Sequence, residues 1–176
     1  MSFRKNCANW QWRCFASSVD VDLSGFIDEK LILPDGSCIT GKSFEFDRSG
    51  EMKLSDIGQA DASGSSSALP CTVLTADFYA DKAGTLQLGW GATVKWVFSF
   101  NGQVLLDARK SGNSEFPVSA DNHKLEIDYQ TGRNQLAIEV YASFLNREYA
   151  ENVKLALKIC AEQMPLDFKY PPFVSF

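Results

Sequence analysis

The sequence predicts an all-β protein built as an antiparallel β-sandwich, and two observations support this prediction. Hydrophobic and polar residues alternate with a period of two in several separate stretches, as in strands with one buried and one solvent-facing side. Residues that favour tight turns stand between those stretches. Short strands with regular turn punctuation are typical of sandwiches and barrels.

The first part of the chain gives the weaker strand signal. Alternation is present over residues 19–23 and again over residues 44–47, and the Pro-Asp-Gly sequence at 34–36 between them favours a turn. A run of small polar residues at 60–68 predicts a flexible surface loop with little to bury. The N-terminal strands, expected within residues 12–58, lack the hydrophobic residues for a core of their own.

We therefore expect a single β-sandwich domain over residues 1–176, a length that suits one domain of this class. The part best supported by the sequence is residues 70–160, where alternation is clearest. The alternating stretches there are residues 86–90, 96–100, 124–129, 136–141 and 153–159.

Turn residues follow several of these stretches, where hairpins need them. Asn101-Gly102 favours a type I′ turn, whose twist matches that of the flanking strands. Residues 131–134, Thr-Gly-Arg-Asn, form the next turn signal. Residues 147–164 also fit a helix by spacing, but a strand through 153–159 is the better interpretation.

Composition and charge narrow the function classes. The formal net charge is −5, and the basic residues are scattered, which argues against a nucleic-acid surface. No apolar run approaches the roughly 20 residues that cross a bilayer. Because the first fifteen residues lack the apolar stretch of a signal peptide, we expect a cytoplasmic protein or a domain of a longer exported chain.

The sequence predicts no cofactor and no metal. Five cysteines at wide spacing and a single histidine supply few zinc ligands, so reduced and mostly buried thiols are favoured over a disulfide framework. Gly89-Trp90-Gly91 has only the first half of a dinucleotide fingerprint and no following helix. No Gly-x-Ser-x-Gly nucleophile elbow accompanies His123. We accordingly predict no catalytic residue.

A ligand site is predicted around the loop-like step at 91–93. Trp90 and Trp96 flank this step, and exposed aromatic rings are good platforms for sugar rings. If a sugar binds, Trp90 or Trp96 would stack on it, while Lys95, Asn113 and His123 would hydrogen-bond its hydroxyls. The alternative left open is that alternation buries both tryptophans in the core.

Longer motifs carry a family resemblance over most of the chain, strongest from 76 to 141. They are ADFYA at 76–80, LQLGWGA at 86–92, WVFSFNGQV at 96–104, SGN at 111–113 and GRNQLAIEV at 132–140. Together they resemble the galactose-binding-like (jelly-roll) accessory domains of large bacterial glycoside hydrolases and related polysaccharide-degrading proteins. The resemblance implies a jelly-roll sandwich and a non-catalytic, carbohydrate-binding or carbohydrate-associated module.

The alternative function is a structural or protein-interaction domain that packs on a catalytic domain or self-associates. It predicts an exposed apolar patch, with Trp10, Trp12 or the tail at 170–176 as candidates. The predicted partners are thus a glycan, another protein or a second copy, with no nucleic acid and no membrane.

Overall fold

The computed structural model describes residues 4–5, 12–17, 21, 23–44, 50–53, 71–112, 117–141 and 154–160, and these contain strands and no helix. No helix in this part of the chain could therefore span a membrane. The strands are β1 Arg4–Lys5, β2 Trp12–Ser17, β3 Lys30–Ile32, β4 Cys38–Thr40, β5 Lys42–Phe44, β6 Glu51–Lys53, β7 Cys71–Ala80, β8 Gly84–Ala92, β9 Lys95–Phe100, β10 Gln103–Asp107, β11 His123–Tyr129, β12 Gly132–Tyr141 and β13 Lys154–Cys160. The predicted loop at 60–68 lies outside the described residues.

The strands form two main sheets, and every strand pair is antiparallel. Sheet A has the order β1-β13-β8-β11, with β6 also paired to β13. Sheet B has the order β10-β9-β12-β7-β2-β5, and β3 and β4 form a separate hairpin. The predicted all-β, antiparallel class is confirmed, whereas a jelly-roll arrangement stays a prediction.

The core lies between the two sheets, as a sandwich requires. Alternation puts Leu86, Leu88 and Trp90 of β8 on the inner face of sheet A, and these side chains join one hydrophobic cluster with the inner residues of sheet B. The inner residues of sheet B include Leu74, Ala76, Phe78, Trp96, Phe98, Phe100, Leu136, Ile138 and Val140. The alternating positions read from the sequence therefore identify the core of the fold.

The two predicted turns have different outcomes. Asn101 and Gly102 both have positive φ, 48° and 78°, and Phe100 pairs with Gln103, so the type I′ hairpin is confirmed. The turn signal at 131–134 does not close a hairpin, because β11 belongs to sheet A and β12 to sheet B. Turn residues reverse the chain, but they do not determine which strand becomes the partner.

The last described strand settles the choice between helix and strand. Residues 154–160 form β13, which pairs with β8 on one side and with β1 and β6 on the other. Leu155 and Leu157 join the core cluster. The preference for a strand here is confirmed.

A second hydrophobic cluster covers the outer face of sheet B. Phe15, Val73 and Ala137 on this face are buried beneath residues 23–33, which we call the covering segment and which contributes three buried apolar side chains. Those side chains are Leu23, Ile27 and Leu31. Sheet B is therefore buried on both faces, which explains why so many positions of β7 and β12 are inaccessible to solvent.

Gln135 of β12 holds the covering segment in place. Its side-chain amide accepts a hydrogen bond from the Ile27 backbone N–H at 2.8 Å and donates one to the Ile27 carbonyl at 2.7 Å. Arg133 strengthens the attachment through an ion pair with Asp28 at 2.7 Å and by lying over the Phe26 ring. The covering segment is thus joined to the sheet by polar as well as apolar contacts.

Replacing Gln135 with leucine is expected to loosen the covering segment. The change leaves two buried backbone groups of Ile27 without partners, which should cost about 2 kcal/mol of unfolding free energy. Hydrogen exchange followed by mass spectrometry should show faster exchange over residues 23–33, with strands β7 and β12 still protected. Unchanged exchange over this segment would contradict the role of Gln135.

The described cysteines agree with the expectation of reduced thiols. Cys14 and Cys71 are buried and Cys38 is exposed, and none of these three described cysteines forms a disulfide. Burial raises the pKa of the Cys14 thiol to about 12, so this thiol is neutral and unreactive in the folded protein.

Candidate functional site

Three of the residues predicted to bind a ligand meet at one end of the core. The ring centroids of Trp90 and Trp96 are 6.1 Å apart, and those of Trp96 and His123 are 4.9 Å apart. Trp90 is 0% exposed and Trp96 is 1% exposed. These two rings therefore cannot serve as surface platforms for a sugar, and the alternative that alternation buries them is the one the structure favours.

The physical reason is that successive side chains of a strand point to opposite faces of the sheet. Trp90 shares its face of β8 with Leu86 and Leu88, and Trp96 shares its face of β9 with Phe98. A period of two puts all these side chains on the inner side of the sandwich. His123 packs its edge against Trp96 and is half-buried, so packing in the fold positions it.

The other two predicted residues do not join this cluster. Lys95 alternates with Trp96, so its side chain lies on the outer face of sheet B, next to Tyr141 of β12. Asn113 lies outside the described residues. Hydrogen bonding of a sugar by Lys95, Asn113 and His123 stays a prediction.

A depression on the outer face of sheet B is the better candidate for a site. It has a volume of about 180 Å³, and we call it the outer-face depression. Its floor and one wall come from β9, β12 and the β9–β10 hairpin, and its other wall comes from the start of the covering segment and the residues before it. The sheet, the hairpin and the turn that follows β10 supply Val97, Ser99, Gly102, Val104, Arg109 and Glu139. The opposite wall consists of Val21, Leu23 and Ser24.

Two polar side chains are buried in the floor of this depression. Ser99 is 0% exposed, and its hydroxyl has no hydrogen-bond partner within the described structure. Glu139 is 4% exposed, and its carboxylate accepts a hydrogen bond from the Tyr141 hydroxyl. Because Ser99 pairs with Ala137 and Val97 pairs with Glu139, the two polar side chains are diagonal neighbours on adjacent strands.

Arg109 lies at the rim of the depression and is paired with Asp107. Its guanidinium Nη2 contacts the Asp107 carboxylate at 2.6 Å, and its Nε is 3.0 Å from both carboxylate oxygens. Hydrogen bonds from the Arg109 side chain lower the pKa of Asp107 to about 2. The same hydrogen bonds raise the pKa of Arg109, so both groups stay charged near neutral pH.

This arrangement suits a small ligand that carries hydroxyl groups. A buried hydroxyl without a partner costs free energy unless something satisfies it, and the carboxylate beside it is a hydrogen-bond acceptor. The walls are aliphatic, which suits the C–H faces of a ring. A volume of about 180 Å³ is smaller than the pockets that hold drug-sized molecules, and a single ring would fill it.

The described residues contain no group of three or more His, Cys, Asp or Glu side chains placed to hold a metal ion.

Sequence reasoning did not identify Ser99, Glu139 or Arg109 as a group. The one available signal was that Ser99 and Glu139 are polar residues at the outward positions of otherwise hydrophobic strands. Such residues ordinarily face water. Their burial depends on the covering segment, which comes from a distant part of the chain and which no local pattern assigns to this face.

Comparisons with known proteins show that the fold of this chain is similar to part of some solved structures. No protein-family model matches the chain, and no curated protein matches it. Among solved structures, a selenomethionine-labelled β-glucosidase from Kluyveromyces marxianus aligns with a TM-score of 0.51 and 9% identity over 84% of this chain. A β-glucosidase from the same organism in complex with glucose aligns with a TM-score of 0.49 and 11% identity over 85% of this chain. In both cases the chain spans only 16% of the length of the β-glucosidase.

Proposed function

We propose that this chain is a non-catalytic, carbohydrate-associated β-sandwich module that binds a small polyhydroxylated ligand in the outer-face depression. The observation that carries the proposal is the Ser99 hydroxyl, fully buried beside the Glu139 carboxylate and without a hydrogen-bond partner in the described structure. A sugar hydroxyl placed between these groups would donate to the carboxylate and bond the serine.

Two further points support association with carbohydrate. The neighbour with a TM-score of 0.51 is a β-glucosidase, and the likeness covers only 16% of that chain, the size of an accessory part. The sequence motifs resemble accessory domains of glycoside hydrolases. Both are arguments from fold, and the site carries the assignment of the ligand.

Replacing Ser99 with alanine separates a binding role from a structural one. Whether Ser99 binds a ligand or only packs, the free energy of unfolding should be unchanged or higher by about 1 kcal/mol in Ser99→Ala, because the variant removes a buried hydroxyl that has no partner. If the depression binds sugar, affinity should also fall by about tenfold, the equivalent of one hydrogen bond. The wild-type dissociation constant is expected in the micromolar-to-millimolar range, roughly −4 to −8 kcal/mol.

Chemical-shift titration of the ¹⁵N-labelled chain with a panel of monosaccharides measures such weak binding residue by residue. Ser37→Ala is the matched control, since the Ser37 hydroxyl donates to Asp35 at the exposed turn of the β3–β4 hairpin. Shifts that cluster on β9 and β12 and weaken only in Ser99→Ala would support the proposal. Absence of binding by every sugar would refute it.

A second candidate function is protein interaction, favoured by one aromatic patch. Phe26 is 43% exposed and Tyr79 is 41% exposed, and both adjoin Arg133, which lies over the Phe26 ring and pairs with Tyr79 across β12 and β7. Exposed aromatic and arginine side chains are enriched at protein interfaces. Self-association in sedimentation velocity that Phe26→Ser abolishes would support this function, and a monomer at all concentrations would argue against self-association.

The exposed apolar patch that the sequence predicts at Trp10, Trp12 or residues 170–176 is a different one from this aromatic patch. Trp12 is 1% exposed because alternation puts it on the inner face of β2, so it cannot form an exposed patch. Trp10 and residues 170–176 lie outside the described residues.

A further inference from the structure

We propose that the covering segment is the closing element of the outer-face depression, so that sugar binding and docking of the segment on sheet B stabilise each other. This inference rests on the function proposed above and deepens it by naming what controls the site. It identifies Gln135, which does not line the depression, as a positioning residue for the ligand.

One wall of the depression depends on the covering segment. Leu23 and Ser24 belong to the segment and line the depression together with Val97 and Ser99 of β9. If the segment left the sheet, this wall would be lost, and the floor and the opposite side would remain. A ligand that contacts both sides therefore binds the docked state more tightly than the undocked state, and its binding favours docking.

The covering segment is attached by separate contacts rather than by a ladder of strand pairing. Residues 23–29 form neither strand nor helix. Leu23 and Ile27 pack on the outer face of sheet B, and the Gln135 side chain holds the backbone of Ile27. A segment held in this way opens more readily than the strands beneath it, because fewer bonds must break.

Contacts at Ser24 and Ile27 determine where the segment lies relative to the depression. The Ser24 carbonyl oxygen would be 2.5 Å from a Cβ built on Gly102, so the segment lies directly against the β9–β10 turn. At Ile27, the Gln135 amide accepts from the backbone N–H at 2.8 Å and donates to the carbonyl at 2.7 Å. Because Ser24 and Ile27 share one short stretch of chain, a change at Gln135 reaches the wall through the backbone without touching the ligand.

Hydrogen exchange of the full 176-residue chain, with and without sugar, measures this coupling. The probe is whichever of glucose, galactose, mannose and N-acetylglucosamine binds tightest in the chemical-shift titration. At about ten times its dissociation constant, exchange through opening of residues 23–33 should slow about tenfold, because the open state lacks the wall. Ser99→Ala is the control: about tenfold weaker affinity should reduce the slowing to about twofold at the same sugar concentration. The comparison also separates binding from the general stabilising effect of dissolved sugars.

Gln135→Leu should weaken sugar binding by about threefold or more, although its side chain does not line the depression. The variant loses the hydrogen bonds to Ile27, and the affinity falls with the fraction of molecules whose segment is docked. Saturating sugar should slow exchange over residues 23–33 in this variant as well. Gly89→Ala is the matched control, because a Cβ there would lie 2.0 Å from the Ala120 carbonyl oxygen on sheet A. It should lower stability and keep the affinity of the wild type.

A second variant keeps the inference testable if Gln135→Leu does not fold. Arg133→Met removes the ion pair with Asp28 and keeps an aliphatic side chain beside Phe26. It should weaken binding and speed exchange over residues 23–33, by smaller factors than Gln135→Leu, because Asp28 is largely exposed to solvent.

The failures of the two proposals are distinguishable. Sugar binding with unchanged exchange over residues 23–33, or equal affinities of Gln135→Leu and the wild type, would overturn this inference and leave the proposed function standing. Equal weakening by Gln135→Leu and Gly89→Ala would also overturn it, because Gln135 would then act only through overall stability. No binding by any sugar would overturn both proposals.

Discussion

Replacing Gly89 with alanine is expected to lower the free energy of unfolding by about 3 kcal/mol, the upper part of the range for overpacked interiors. Gly89 lies on the outward face of β8, where residues 117–122 cross sheet A. A Cβ on Gly89 would lie 2.0 Å from the Ala120 carbonyl oxygen. The obstacle is backbone rather than the end of a flexible side chain, so the crossing residues would have to move.

Urea denaturation monitored by tryptophan fluorescence measures this loss, and Gly25→Ala is the matched control. No heavy atom lies within 4 Å of a Cβ built on Gly25, so its replacement should change stability by no more than about 0.5 kcal/mol. Equal losses in the two variants, or a loss below about 1 kcal/mol for Gly89→Ala, would contradict the close approach.

The same contact accounts for a sequence feature that had no assigned role. A Cβ on Gly91 would meet the Ser119 carbonyl oxygen at 2.2 Å, so both glycines of Gly89-Trp90-Gly91 face the crossing residues. Asn122 fixes those residues by accepting a hydrogen bond from the Ser119 backbone N–H at 2.8 Å. The two glycines allow residues 119–120 to pack closely on the outer face of β8, and Trp90 between them packs in the core.

Patterns that depend on neighbouring residues were sufficient to predict strands and core. Alternation over residues 153–159 predicted the strand that the structure has at 154–160, and it predicted the inward positions of β8 and β9, because the side chains of a strand change face at every residue. The Asn101-Gly102 turn was equally predictable, since it depends on two residues with positive φ.

Features that depend on distant residues were not predictable in this way. The pairing of β12 with β7 and β9, rather than with β11, is a property of the whole fold. The covering segment is attached through Gln135 to Ile27, 108 positions away in the sequence. The outer-face depression requires that same segment as a wall, and so no local pattern could place Ser99 in a buried polar site.

The side chain of Asn134 connects the end of β11 in sheet A with the β9–β10 hairpin in sheet B through hydrogen bonds. It is fully buried, and its Oδ1 accepts hydrogen bonds from the Gln130 backbone N–H and the Asn101 side-chain amide, each at 3.0 Å. Its Nδ2 donates to the carbonyls of Gln130 at 2.7 Å and Gly132 at 3.1 Å. Asn101 in turn accepts from the Gln135 backbone N–H at 2.8 Å. The turn between the sheets is thereby tied to the β9–β10 hairpin.

Asn134→Ala should therefore cost about 3 kcal/mol of unfolding free energy, because it leaves several buried donors and acceptors without partners. Gln130→Ala is the matched control: Gln130 contacts Asn134 only through its backbone, so alanine keeps both hydrogen bonds and should change stability by no more than about 0.5 kcal/mol. Chemical denaturation gives both values, and amide exchange at Gln130 reports the lost bond directly. A loss below about 1 kcal/mol in Asn134→Ala, with Gln130 still protected, would mean that the turn holds its shape without this side chain. The link between the two sheets would then rest on their shared core alone.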